Sequence, residues 1–493
     1  MVLEEVRQCE RESFSCMSGL MDLKECISSW RRNVRSWLAQ QLDDQRPKGT
    51  IASLDGVRAL AFLLVFAFHL NHAGVWGYDG NNPFMGAFLE VGNTGVTLFF
   101  VLSGFLLFLP YTQALLFEKN WPQPKIYYIR RILRIFPGYF FSLFILVIFT
   151  QPSFMQPHNW GQLVPFLTFT MGFYNSSGLI NGPYWTLAVE FQYYLILPLI
   201  AWGIAGLTRL VRPGKRLWMV VGSLFAVIIW GLVTACYGTY FANHPGQTFL
   251  IPRPLFNAVL FVVYGDRSKF LEDFAVGMLI AVGYLSMMNS PRKDHYLLRM
   301  RRLLTGPLIL CSALFVYAAM PGYTWAFIPR VLQAFPWLNE FAFALCYGYL
   351  VAAVLFNHPD SWLARMFSWT PLRWLGLISY SLYIWHRPLI QVLAAHLGKN
   401  LQRLNPVLTV SLFWVITLTI SVVFCFVLFI LIEKPGMRLS EKLRQRIVRQ
   451  DAKRQAMSDS MNPRSQNQKM LASLVTRHQK PKSLKNIVRT KNS

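Results

Sequence analysis

The chain has 493 residues, 54% hydrophobic and 14% charged, with a mean hydropathy of +0.34 and a formal net charge of +25. A soluble protein of this size carries about 25% charged residues, so the composition excludes a string of soluble domains and defines a polytopic membrane protein. Seven cysteines occur without a CxxC pair, and nothing in their spacing suggests a disulfide framework or a zinc site.

The N-terminal segment, 1–50, holds Glu4, Glu5, Arg7, Glu10 and Arg11 without an apolar core, so no cleavable signal peptide is expected. Within it, Trp30, Val34, Trp37 and Leu38 fall on one helical face opposite Arg31, Arg32 and Arg35. That pattern suits an interfacial amphipathic helix on the cytoplasmic leaflet, or an ordinary docking helix.

Apolar segments follow at roughly 54–72, 92–116, 132–151, 185–208, 217–240, 269–288, 303–320, 340–357, 374–397 and 407–433. A shorter one covers 160–175. Loop charge decides its status. The loops at 117–131 and 209–216 carry four Lys or Arg each and 289–302 carries five, whereas 73–91 and 152–184 carry none. This alternation survives only if 160–175 is a re-entrant or surface hairpin. The expected fold is therefore an all-α transmembrane bundle of about ten spans, with both termini cytoplasmic. Residues 436–493 are basic and apolar-poor, and are expected to form an unstructured cytoplasmic tail. On a membrane protein such a tail meets anionic lipid, so lipid is the expected partner and nucleic acid is not.

Ionisable residues inside membrane segments are expensive and mark functional cavities. The first span, "SLDGVRALAFLLVFAFHLNH", carries Asp55 and Arg58 at one end and His69 at the other. Arg58 and His69 are 11 residues apart, which ends about 20° from a whole number of turns, so they share a face about 16 Å long. At the cytoplasmic mouth of the third span, Arg131 and Arg134 are neighbours at i and i+3. With Arg58 they would form a guanidinium cluster suited to phosphate. In "PYWTLAVEFQYYLILPL", Glu190 lies about 7 Å below the outer interface, a depth comparable to that of His69. A carboxylate and an imidazole at one level would serve as a base and its orienting partner. Ser103 in the second span can hydrogen-bond across a helix contact. Tyr383 and His386 crowd the ninth span with hydrogen-bonding capacity that must face a polar interior. A third helical ligand to join His69 and His72 is missing, so no metal site is expected.

These stretches, in order, resemble the acyltransferase-3 family of integral membrane acyltransferases. "LDGVRALAFLLVFAFH" is similar to the family's opening motif of a basic residue and a histidine ten positions apart. "GVTLFFVLSGFLL" resembles its second-helix signature, "RRILRIFP" its RxxR motif, "YWTLAVEFQYYLILPL" its tryptophan-glutamate segment and "ISYSLYIWHRPL" its late serine-tyrosine-histidine segment. The likeness makes 51–435 the acyltransferase domain. Three positions depart from it: Thr97 stands where many members carry Asp, Phe191 where a second acid is common, and Arg387 where an aromatic is frequent.

The resemblance implies an O-acyltransferase that moves an acyl group, acetyl being expected, from cytoplasmic acyl-CoA to a hydroxyl of a carbohydrate or similar acceptor at the outer face. Acyl-CoA is then a co-substrate and no cofactor is bound permanently. No esterase-like domain is expected in the tail. His69, oriented by Glu190 or by backbone, would be the base, and Arg58, Arg131 and Arg134 would hold the phosphates. Tyr184, Trp185 and Ser103 are the candidate oxyanion donors, and Asp55, Tyr383 and His386 support the polar interior. The rival function is a multi-span transporter or exporter of a small polar solute.

Overall fold

The computed structural model describes residues 28–29, 32, 36, 51–73, 89, 91–171, 179–244, 270–300, 335–358, 360–401 and 405–461. The amphipathic face of Trp30, Val34, Trp37 and Leu38, the apolar segment 303–320 and the tail beyond 461 lie outside the described residues.

Among the described residues the chain is helical, without strands. Helix α1 (Ser53–Asn71) is unbroken, so Arg58 and His69 do share one rod. It is followed by α2 (Gly95–Phe117), α3 (Pro124–Thr150) and the short α4 (Trp160–Leu167). Next come α5 (Tyr184–Arg209), α6 (Arg216–Asn243), α7 (Leu271–Met288) and α8 (Asn339–Phe356). The C-terminal part holds α9 (Trp362–Phe367), α10 (Thr370–Leu377), α11 (Ser379–Leu401) and α12 (Pro406–Leu428). A π-turn over Phe429–Glu433 leads into α13 (Lys434–Met461).

Eight helical stretches among the described residues are long and apolar enough to cross a membrane. The protein is a multi-pass, all-α integral membrane protein. Helix α4 spans only about 12 Å and cannot cross a hydrocarbon core of about 30 Å, in keeping with a hairpin reading of 160–175. The apolar segment expected at 374–397 is instead divided. Helix α10 ends at Leu377 and α11 starts at Ser379, whose Oγ donates to the Gly376 carbonyl at 2.8 Å. Helix α11 has the length of a span, about 35 Å, but its polar side chains set it apart from the other eight.

The chain forms two compact units, one of Met1–Trp121 with Tyr139–Phe429, the other of Pro122–Gly138 with Ile430–Ser493. In the first, glycines let backbones touch where apolar packing alone would hold helices farther apart. Gly104 of α2 lies against the Phe274 carbonyl, and Gly277 of α7 against the Val101 carbonyl, so α2 and α7 are pressed together from both sides. Gly56 meets the Phe367 carbonyl and Gly376 the Asp55 carbonyl, which clamps the start of α1 to α9 and α10.

In the second unit, Pro137 removes the N–H that would bond the Leu133 carbonyl within α3. Gly436 of α13 packs against that carbonyl. Further along α13, Glu441 accepts hydrogen bonds from Arg444 at 2.6 and 2.9 Å and from Gln445 at 3.2 Å. Such i,i+3 and i,i+4 pairs stabilise a polar helix that buries little. Composition predicts an unstructured tail from 436 onward; Lys434–Met461 is helical instead.

A side chain added at Gly277 must push α2 away. Gly277→Ala is expected to lower the stability of the detergent-solubilised protein by about 1–3 kcal/mol, whereas Gly283→Ala on the open side of α7 should leave its thermal midpoint unchanged.

Candidate active site

The site starts from two histidines on different helices. His69 Nδ1 of α1 lies 2.9 Å from the Val65 carbonyl one turn back. His386 Nε2 of α11 approaches the same Nδ1 at 3.3 Å, and the rings meet edge to face with centroids 4.8 Å apart. His386 is fully buried, and its own Nδ1 lies 2.7 Å from the Tyr383 carbonyl.

Carbonyl oxygens only accept, so these contacts fix both tautomers. His386 Nδ1 must carry the hydrogen that reaches Tyr383, which leaves Nε2 with a lone pair. His69 Nδ1 must carry the hydrogen shared between the Val65 carbonyl and that lone pair. His69 Nε2 is then unprotonated, and no hydrogen bond occupies it among the described residues. The arrangement leaves one basic nitrogen on a half-buried ring.

A proline explains how α11 is held at this point. Pro388 lacks an N–H, so the Ile384 carbonyl four residues earlier loses its helical partner. Asn181 Nδ2, from the loop before α5, donates to that carbonyl at 2.9 Å in a buried setting. The adjacent Gly182 lies against the guanidinium of Arg387. The Asn181–Gly182 loop therefore docks on both residues that follow and precede the critical turn of α11.

Glu190 does not join this pair. Its Oε1 accepts from Ser103 Oγ at 2.8 Å and from Tyr194 OH at 2.5 Å, and among the described residues no hydrogen bond or ion pair connects it to His69. The partner of His69 is His386 together with the Val65 backbone. Tyr383 OH lies 2.8 Å from Thr186 Oγ1 of α5. Tyr184 OH meets Ser142 Oγ at 2.8 Å, and because Ser142 donates to the Tyr139 carbonyl, Tyr184 is the donor of that pair. The hydroxyl protons of Ser103 and Tyr184 are thus both engaged. The Trp185 ring packs against Phe270 at 5.5 Å. Asp55 faces Arg58 across 3.6 Å at the other end of α1. Arg131 and Arg134 stand one turn apart on α3 in the second unit, and Arg58 belongs to the first.

Two polar residues escaped the sequence reading. Asn181 had no visible signal except the proline it serves. Asp273, completely buried close to Thr97, opens the apolar run "LEDFAVGM", where an acidic pair at the mouth of a span was the available sign.

The sequence profile of the acyltransferase-3 family, described as an acyltransferase domain, matches residues 51–430, and the chain belongs to that family. It is 28% identical over 362 residues to the peptidoglycan O-acetyltransferase OatA of Listeria monocytogenes, covering 69% of this chain and 49% of the relative. It is also 28% identical over 392 residues to the putative peptidoglycan O-acetyltransferase YrhL of Bacillus subtilis, covering 76% and 52%. The acyltransferase MdmB of Streptomyces mycarofaciens is 27% identical over 241 residues, covering 47% and 57%. The chain spans about half the length of the curated relatives it matches. No protein of known structure matches it.

Asn181→Ala strands a buried carbonyl and is expected to destabilise the protein by about 1–3 kcal/mol. Pro388→Ala restores an N–H for the same carbonyl, so Asn181→Ala should cost measurably less in that background. A double-mutant cycle of thermal unfolding checks the coupling, and strictly additive effects would contradict it.

Proposed function

We propose that this protein is a membrane O-acyltransferase that carries an acetyl group from cytoplasmic acetyl-CoA to a hydroxyl of a glycan at the outer face. The observation that carries the reading is the oriented histidine pair, with His69 Nε2 unprotonated, inside the region that matches the family. The names of two relatives, the peptidoglycan O-acetyltransferase OatA and the putative peptidoglycan O-acetyltransferase YrhL, support acetyl as the group and a glycan as the acceptor.

In this scheme the acceptor hydroxyl gives its proton to His69 Nε2 while its oxygen bonds to the thioester carbon. The tetrahedral species then collapses, the carbon–sulfur bond breaks, and the departing thiolate takes the proton from His69. The products are the acetyl ester and free CoA, and the histidine returns neutral. General base catalysis of this kind contributes roughly 10²–10⁴-fold. His386 acts as a positioning residue, because a ring locked to the Tyr383 carbonyl holds the tautomer that exposes the basic nitrogen.

Arg131 and Arg134 suit the phosphates of the donor, since two guanidiniums one turn apart form a bidentate anion surface. Arg58, about 16 Å along α1 from His69, suits the donor's arm, which must cover that distance to bring the thioester to the base. The basic loops of the sequence support a cytoplasmic location for this end.

The test uses protein reconstituted in vesicles with acetyl-CoA and chitopentaose, following thiol release. His69→Ala is expected to reduce acceptor-dependent release by at least about 10²-fold while CoA binding persists. Arg134→Ala should weaken CoA binding by roughly tenfold or more, as the loss of one charge-assisted contact implies. His386→Leu should lower kcat with little change in KM, and His386→Asn should recover part of it. Near-normal turnover by His69→Ala would refute the scheme, and solute accumulation without thiol release would mark a transporter.

A further inference from the structure

We infer that Arg387 is a catalytic residue of this site, the group that receives the negative charge forming on the acetyl carbonyl oxygen. This rests on the acyl-transfer reading above and completes it, because the transfer needs a donor aimed at the oxyanion and the obvious hydroxyls are occupied. Ser103 donates its hydrogen bond to Glu190, and Tyr184 donates its own to Ser142.

Arg387 is placed for the task by its neighbours. It follows His386 directly, and its charge is near enough to act on the rings of both His386 and His69. Among the described residues its guanidinium makes no hydrogen bond or ion pair, and it belongs to the residue next to His386, whose ring contacts the base. The side chain is half-buried rather than waving in solvent. It is seated on Gly182, where any Cβ would occupy the space of Nη1. That glycine is fixed in turn, because Asn181 beside it bonds the Ile384 carbonyl exposed by Pro388.

The seat matters physically. A donor stabilises an oxyanion only if it is already oriented when charge develops, since reorganising it would consume the gain. Arginine elsewhere on a helix surface loses rotamer freedom to reach such a position, whereas here the backbone of Gly182 limits where the guanidinium can lie. As the acceptor oxygen adds to the carbonyl carbon, the carbonyl π pair moves onto oxygen and is held by the Arg387 N–H donors. The pair returns to reform C=O when the carbon–sulfur bond breaks, so Arg387 exchanges no proton and ends unchanged.

The experiment compares the parent protein with Arg387→Gln, Arg387→Lys and Gly182→Ala in vesicles, with acetyl-CoA and chitopentaose. Arg387→Gln is expected to lower kcat by about 10²–10³-fold with acceptor KM within about twofold, the pattern of a group used only in the transition state. Arg387→Lys should recover part of the loss, and Gly182→Ala should fall in the same direction by displacing the guanidinium. Retained CoA binding shows that each variant is folded. Unchanged kcat, or a raised acceptor KM at constant kcat, would overturn the assignment.

Methylphosphonate, a tetrahedral anion, gives a second readout independent of turnover. It should protect Arg387 from phenylglyoxal in the parent and in His69→Ala, and it should raise the thermal midpoint of both but not of Arg387→Gln. Equal stabilisation of Arg387→Gln would overturn the assignment even in an inactive preparation. A parent protein that binds methylphosphonate through Arg387 yet never releases CoA would refute the transfer reading and leave the anion site standing.

Discussion

The contact between His386 Nε2 and His69 Nδ1, 3.3 Å long, depends on α1 and α11 keeping a fixed axial register. One residue of sliding is about 1.5 Å, enough to take that contact beyond hydrogen-bonding range. The register is held from both ends. Near the start of α1, Gly376 lies directly on the Asp55 carbonyl, which leaves no play between α1 and the helix that precedes α11. Near the site, Asn181 grips the Ile384 carbonyl. Neither anchor touches the reacting nitrogen, and both decide where it is.

Water is scarce inside a membrane protein, so polar groups near the site mostly bond one another. Glu190 gathers Ser103 and Tyr194, while Tyr184 donates to Ser142, which donates in turn to the Tyr139 carbonyl. These groups knit α2, α3 and α5 into a rigid wall. What stays uncommitted is then informative. Among the described residues the histidine pair leaves His69 Nε2 open, and the Arg387 guanidinium, seated on Gly182, makes no hydrogen bond or ion pair.

Much of the fold was legible because apolar runs and helix ends coincide in a membrane protein. The first expected span, 54–72, falls within one residue of Ser53–Asn71, and the face shared by Arg58 and His69 follows from helix geometry alone. The pairing of His69 with Glu190 was not legible. Matching two residues by depth fixes their position along the bilayer normal and leaves their azimuth undefined, and Glu190 faces Ser103 instead. His386 was visible as polar content, but its proximity to His69 is a contact 317 residues apart in sequence, beyond any local pattern. The described start of the tail, up to Met461, differs for the opposite reason. Composition reported that Lys434–Met461 buries little, while the spacing of Glu441, Arg444 and Gln445 supplies local pairs that hold a helix without much burial.

Phe270, immediately before α7, sits in the left-handed region with φ 60° and ψ 24°. For a residue with a Cβ this backbone costs about 1–2 kcal/mol relative to the right-handed region. Tilted ring contacts offset the cost, with the ring against Phe100 at 5.1 Å and against Trp185 at 5.5 Å. Trp185 therefore serves as a latch on a sprung joint. Truncating the indole would remove one of the two ring contacts that accompany this conformation at the entry to α7.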